Sequence, residues 1–503
     1  MAAVPEWTEL GQEGGLDPLG MQRPIEVIYQ ALIPGISTIT LRLRYYSFFC
    51  WMLEAYASKI GNTDPQEFRI FHRRCELLYA LIAARGPYET GVTGIEWAQK
   101  QVAKIQGAGD PNVEIAFADG AHPDTSGDRY LKNKAGAFGA IYSTQMQDIG
   151  LVLLGTTENP VPVCTERGLA LAKAFAEILG DASETILDAV ASGKVSMATL
   201  DALGRLKPGA LNPEGAECRL LIQLLLGLSP DGSGADLRRR DTMKMLLQLT
   251  ASRGAKPRAD DAKWTWLEAE AEPGNEGRVQ SLWTLYQLSD LLRLAYEYIM
   301  DAGLKLLAIE PSRHLSLGAL VTQLVQSASL PNDLSWSQFC MDGSAEKPVR
   351  QLYAGMVQAK ADGNLGDQVS SAFALIAKLV RRATDLQTLI DDVLPAADYF
   401  QSLRSELKFL AAHSQASAEA VGTLIIRDRV IKRHLWVASR KFRNQRAYTY
   451  LMEPADGLLR YRDDITLSPS SPRLDQALNF LSDAKLIDER GLTAFGQREL
   501  APS

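Results

Sequence analysis

At 503 residues the chain has room for roughly two to four separately cored domains, and 46% hydrophobic with 22% charged residues excludes wholesale disorder. A formal net charge of -7 excludes a uniformly basic nucleic-acid binder, so any such contact must be a local patch. Cys50, Cys75, Cys164, Cys218 and Cys340 are far apart with no Cys-x-x-Cys pair, which predicts buried thiols in a reducing cytoplasm rather than a disulfide framework or zinc site.

The acidic, polar N-terminus predicts no signal peptide, and the longest apolar run, Leu220 to Leu228, is too short to span a bilayer and contains Gln223. Up to Pro34, frequent Gly and Pro precede the apolar Ile25, Val27, Ile28 and Leu32, which predicts a partly ordered arm that docks late. Gly35 to Leu53 opens with Gly and hydroxyl residues and continues as a helix apolar almost all round, the pattern of a buried element. Arg42 and Arg44 inside it require partners. The expectation is ion pairing with carboxylates such as Glu54 or Glu76; an anion or phosphate contact is the alternative. Phe68 to Ala84 reads as a second helix, with Phe71, Cys75, Leu78 and Ile82 on one face and Arg69, Arg73 and Arg74 turned elsewhere. Trp97 lies in a third. A polar loop, Gly107 to Gly127, leads through the Asp128–Lys134 stretch into the next segment.

Phe138 to Phe175 is the stretch around which the chain is organised. Leu151–Leu154 and Pro160–Cys164 read as two strands joined by turn residues Gly155–Asn159, and Thr165 caps a helix carrying Leu169, Ala172 and Phe175. A shorter copy closes the chain: Leu474, Leu478 and Leu481, then Lys485-Leu486-Ile487, a turn at Asp488–Gly491, and Leu492-Thr493-Ala494-Phe495-Gly496. Helix, two-stranded wing and capped helix is a winged-helix layout, and both copies have an apolar pair entering the wing and Thr-x-x-Gly after it.

The run Gly-Ile-Ser-x-x-Thr-x-Arg-x-Arg-Tyr-Tyr-Ser-Phe-Phe-Cys-Trp from Gly35, the Phe-His-Arg-Arg-Cys-Glu segment at Phe71–Glu76, and the block from Tyr130-Leu131 through Gly136-x-Phe-Gly-x-Ile-Tyr-Ser resemble a little-characterised group of prokaryotic proteins encoded among anti-phage defence genes. The resemblance covers the first third of the chain. It implies a genomic setting and carries no catalytic residue.

From Glu177 to about His413 helices follow one another: Leu220–Leu228, Met243–Leu249, Trp283–Leu307, Phe373–Val380 and Leu386–Leu394 show helical apolar spacing, broken at Lys207–Gly215, Ser229–Gly234 and Pro273–Gly277. The longest, Val279 to Ile309, points Leu282, Tyr286, Leu292, Tyr296 and Ile299 at a core, with Trp283 and Tyr298 alongside. No fixed-period repeat is present.

The one concentrated basic segment follows, supplying Arg427, Arg429, Lys432, Arg433, Arg440, Lys441, Arg443 and Arg446 against a single Asp428. On a helix Arg429, Arg433, Arg440 and Arg443 fall near one side, with Val430, Leu435 and Val437 toward a core. Such a stripe suits a phosphate backbone, and the interleaved Trp436, Tyr448 and Tyr450 suit base stacking; a solvated face or an acidic protein partner would be served equally.

No phosphate loop, dinucleotide fingerprint, nucleophile elbow or His-Glu-x-x-His is present, and the five histidines never take metal-ligand spacing. Glu114, Asp128 and Lys132 or Lys134 come nearest to a magnesium-dependent nuclease site, on a loop without a strand scaffold.

The expected fold is mostly α: a helical bundle body with two winged-helix-like modules carrying short β-hairpin wings. The expected division is 1–180, a helical region ending in the first module; 181–415, a helical middle; and 416–503, the basic helix and second module. The expected role is a cytoplasmic, non-enzymatic, nucleic-acid-associated or scaffolding subunit of an anti-phage defence complex. It would need no cofactor or metal and no membrane, and its partners would be other subunits, an ATPase among them, and DNA. Terminal winged helices on a helical middle also resemble, in architecture alone, the kleisin subunits that bridge paired chromosome-maintenance ATPases. A divergent nuclease effector is the enzymatic alternative.

Overall fold

In a computed structural model, residues 17–106, 113–228, 233–270, 274–341, 347–394 and 401–500 are described. The start of the expected arm (1–16) and parts of the Gly-rich loops (107–112, 229–232 and 273) lie outside the described residues. The chain is mostly helical, 65% helix and 6% strand. No described helix is long and apolar enough to cross a membrane.

The chain forms two compact units that do not follow the expected three-part division. Of the described residues, those within 31–262 and 473–500 make one, and those within 17–30 and 263–472 the other. The expected C-terminal domain is therefore shared: its described residues from Arg473 on belong with the first unit and its basic helix with the second.

The first unit is built on an aromatic core. The helix Tyr45–Lys59 is buried over most of its length and packs Phe48 flat on Tyr79 of helix Pro65–Ala84, with centroids 4.2 Å apart. It starts later than expected. Arg42 and Arg44 precede its first turn, and both are ion-paired. Arg44, 1% exposed, holds Glu217 through Nε (3.0 Å) and Nη2 (2.9 Å) and donates to the carbonyls of Arg205 and Lys207. Arg42 bonds Asp483 (3.1 Å) and Glu89 (3.0 Å). Pairing is as expected in kind, but the carboxylates come from remote segments rather than from Glu54 or Glu76.

Glu76 serves the backbone instead. Its buried carboxylate accepts from Ala137 N–H (2.7 Å), Phe138 N–H (2.8 Å), Tyr130 Oη (2.5 Å) and His72 Nδ1 (3.2 Å). Burial pushes this carboxyl up, but the His72, Tyr130 and Phe138 donors outweigh it and hold the pKa below the ordinary value. Gly136, at φ +65, leaves room: an added Cβ would come within 2.8 Å of Glu76 Oε2. Arg73, expected to turn away from the core, is fully buried, bonding the carbonyls of Ala121, Leu131 and Asn133.

Two helix–hairpin–helix joints in this unit share one geometry. In the first, Leu151 N–H caps helix Ser143–Asp148 on Met146 O (2.8 Å), Val152–Leu153 pairs with Val163–Cys164, and Thr165 N–H returns to Leu151 O (3.0 Å). In the second, Leu486 N–H bonds Leu481 O (2.9 Å), Ile487–Asp488 pairs with Gly491–Leu492, and Thr493 N–H returns to Leu486 O (3.1 Å). Each Thr hydroxyl donates to the incoming carbonyls and accepts the N–H of the glycine three residues on, at 3.3 Å for Gly168 and 3.1 Å for Gly496. The glycines are steric necessities: a Cβ would lie 2.1 Å from Leu151 O at Gly168 and 2.0 Å from Leu486 O at Gly496. Ala172 and Phe175 are buried as expected, whereas Leu169 is exposed.

The second unit is organised by the helix Asn275–Ile309, whose Leu282, Trp283, Tyr286, Leu292, Tyr296, Tyr298 and Ile299 are all buried. It also buries charge within a turn on either side of Arg293, which bonds Asp290 (2.8 Å) and Glu297 (2.7 Å). A three-stranded antiparallel sheet, His314–Leu315, Leu458–Tyr461, Met452–Ala455 in spatial order, adds strands to this otherwise helical unit. Its hairpin turns at Asp456-Gly457, both at positive φ (51° and 78°), a dipeptide that signals this turn.

Candidate nucleic-acid interface

The basic segment begins as a π-helical stretch, Ile425–Ile431, and continues as the α-helix Lys432–Gln445. Val430 and Val437 face the core as expected. Its cations divide into two groups that a helical projection does not separate.

The N-terminal group is held by carboxylates. Arg433 is 6% exposed and donates from Nη2 to Glu406 (2.5 Å), which also accepts from Tyr296 Oη (3.0 Å). Arg429 approaches the same carboxylate (3.7 Å) and lies over the Phe409 ring at 4.0 Å. Arg427 and Lys432 share Asp428 at 2.7 and 3.1 Å. Of Arg429, Arg433, Arg440 and Arg443, expected near one side, Arg433 is turned inward because Glu406, buried in the same core, needs a counter-charge. Beside it His434 is buried and its pKa pushed down to about 4, chiefly by desolvation. Its Nε2 accepts Leu451 N–H (3.0 Å), which leaves Nδ1–H facing Pro18 O (3.3 Å).

The C-terminal group points outward. Arg440, Arg443 and Arg446 are exposed and have no carboxylate within ion-pair distance among the described residues. Arg440 lies over the Trp436 ring at 5.4 Å, and the indole is 41% exposed. Phe442 and Tyr448, each 51% exposed, meet edge to face with centroids 6.2 Å apart, and Arg462 lies 5.5 Å from the Tyr448 ring. Lys441 is half-buried, donating to the Asp17 carbonyl (3.1 Å), and burial lowers its pKa.

A cleft of about 390 Å³ opens between this face, the turn entering helix Gln22–Leu32, and Gln401. Trp436, Val437, Arg440, Lys441 and Asn444 form one wall. Gly20, Arg23 and Pro24 line the cleft as well. Gly20 sits at φ +68, and a Cβ there would meet Gln401 Oε1 at 2.2 Å, so the glycine lets the walls approach. The Asp17 carboxylate is engaged in accepting Met21 N–H and Gln22 N–H, both at 3.0 Å. The arrangement can hold an anion against an aromatic face. Trp436, Arg440 and Lys441 are adjacent in sequence; Asp17, Gly20, Arg23 and Gln401 come from far away, and no local pattern marks them.

Glu114, Asp128 and Lys132 or Lys134 come nearest to a nuclease site in the sequence. Glu114 lies on a short strand, Glu114–Ala116, paired with Lys194–Ser196, rather than on a loop. Asp128 offers its main-chain oxygen to Trp97 Nε1 (2.9 Å), and Lys134 pairs with Asp124 (2.8 Å). Among the described residues no three His, Cys, Asp or Glu side chains are grouped to hold a metal ion. The cysteines are free, Cys164 half-buried and the others buried.

No family model, curated protein or solved structure matches the chain.

Proposed function

We propose that this chain is a non-enzymatic, nucleic-acid-associated or scaffolding subunit of a prokaryotic anti-phage defence complex, acting in the cytoplasm. The observation that carries the nucleic-acid part is the outward group Arg440, Arg443 and Arg446 beside exposed Trp436, Phe442 and Tyr448. Exposed guanidinium groups without carboxylates gain by counterion release on a phosphate backbone, and exposed rings gain by stacking. The defence setting is supported by the motif resemblance in the first third of the chain. Binding of labelled DNA, duplex and single-stranded, across a salt series tests it: affinity should fall linearly in log salt, with a shallower slope for Arg440→Glu/Arg443→Glu. No affinity for either form at low salt would sink the nucleic-acid part.

A second reading is favoured by the two hairpin joints, which we take as winged-helix modules. A wing that grips phosphate needs cations, yet no Lys or Arg occurs from Leu151 to Cys164, and Leu153 and Val163, cross-strand partners there, are 59% and 46% exposed. The second hairpin turns through Asp488, Glu489 and Arg490. Uncharged or acidic wings suit protein surfaces, which supports a kleisin-like bridging subunit of a complex with a coiled-coil ATPase. Co-purification with such an ATPase from cells expressing the intact operon is the expected result; recovery of a lone monomer counts against it.

A further inference from the structure

Resting on the nucleic-acid reading, we infer that the cleft beside Trp436 receives one unpaired nucleotide of a single strand, its base against Trp436 and its phosphate among Arg23, Arg440 and Lys441. Four features select a single nucleotide over a duplex backbone.

The first is shape. A duplex offers a convex ribbon of phosphates with its bases stacked inside, and the surface that suits it is a ridge or a shallow face. Here the basic group lines a concavity of about 390 Å³, the scale of a small-ligand pocket. The second is the indole. Trp436 leaves 41% of its surface exposed at the cleft wall, and a base of any identity can lie on it. Paired bases cannot reach it without leaving the stack.

The third is charge. Arg440 has no carboxylate partner among the described residues, and Lys441 is held at the cleft by a main-chain carbonyl. Among the described residues Arg23 makes an exposed 3.5 Å contact with Glu26, while the Asp17 carboxylate caps the adjoining helix and also attracts Lys441. An incoming phosphate would therefore meet Arg440 with no carboxylate beside it among the described residues and Arg23 only weakly paired. The fourth is the amide set. Gln401, Asn444 and Gln445 bring donors and acceptors to the same cleft, which can pair with the hydrogen-bonding edge of an unpaired base. Val437 and Pro24 supply apolar contact between these groups.

Full-length protein titrated with labelled oligothymidine, a duplex of equal length, and thymidine monophosphate as competitor tests this. Oligothymidine should bind at least about tenfold more tightly than duplex, the scale of one base–aromatic stack. Trp436→Ala should remove that preference and Trp436→Phe should keep most of it, with unchanged thermal melting showing that the variants fold. Arg446→Glu, outside the cleft, should weaken both forms by the same factor. Equal affinity for the two forms, unaltered in Trp436→Ala, would overturn the single-nucleotide inference and leave the nucleic-acid reading standing; no binding to either overturns both. Competition by thymidine monophosphate at the nucleotide concentration at which oligothymidine saturates would overturn the strand and assign the cleft to a free nucleotide.

Discussion

The two halves of the basic segment have nearly the same composition and opposite fates. From Arg427 to Arg433 every cation meets a carboxylate, Asp428 from its own turn or Glu406 from across the core. From Arg440 to Arg446 the arginines face solvent, and the nearest aromatic neighbours, Trp436 and Phe442, are exposed with them. The difference teaches that a run of cations is not yet a binding surface. What matters is how many of them the protein has already neutralised, and a buried carboxylate from another helix decides that.

The largest effect expected from breaking this comparison is at its buried side. Glu406→Ala leaves Arg433 charged and enclosed, so stability should fall by about 3–5 kcal/mol in urea unfolding. A loss under about 1 kcal/mol would show that Arg433 finds other compensation.

Acidity should act through two buried groups of the same unit, His434 and Glu297. His434 has its pKa lowered from 6.5 to about 4 by burial. The unfolded chain takes up that proton first, so the contribution of His434 is present above pH 6.5 and lost as pH falls toward about 4, roughly 3 kcal/mol in full. Glu297 runs the other way. Burial, with Asp17 and Asp290 nearby, pushes it from 4.5 up to about 7 despite its pairing with Arg293. Its contribution is present below pH 4.5 and lost as pH rises toward 7, by a similar roughly 3 kcal/mol. The two slopes oppose each other where they overlap. Stability measured against pH should therefore be flatter in the parent than in either His434→Gln or Glu297→Gln, each of which exposes the slope of the other.

A smaller loss is expected at the hinge of the cleft. Gly20→Ala forces a left-handed residue against Gln401 and should cost about 1–2 kcal/mol while weakening oligothymidine binding, read by melting and anisotropy. Smallest of all in stability, Arg440→Glu, Arg443→Glu and Arg446→Glu should each stay within about 0.5 kcal/mol of the parent in melting. Their effect should appear in the salt dependence of binding, and a variant that unfolds instead would place its arginine among the structural ones.

Much of the helical architecture is legible in the chain because each signal is local. The apolar spacing in Phe68–Ala84 and in Val279–Ile309 marks faces that are buried, and Thr165 and Thr493 mark helix starts because a hydroxyl at that position satisfies the N–H three residues on. Gly168 and Gly496 are legible as a repeated spacing, but their reason is tertiary, a carbonyl pressed where a Cβ would stand. The sheet at Met452–Tyr461 is marked in the sequence by its Asp456-Gly457 turn alone, since charged residues on both strands blur the alternation. The start of helix Tyr45–Lys59 was displaced because apolar residues before it, such as Ile36 and Leu43, are buried as loop.

By itself the sequence determined the class of fold, the duplicated Thr-x-x-Gly joint and the location of the basic segment, all of them properties of neighbours within a turn or two. Tertiary structure alone decided which arginines remain available, because Glu217, Glu406 and Asp483 lie far along the chain from the cations they neutralise. It also decided that Asp17, Gly20 and Gln401 meet Trp436 in one cleft. Charge and burial are settled by what the folded chain brings within a few ångströms, and sequence separation carries no trace of that distance.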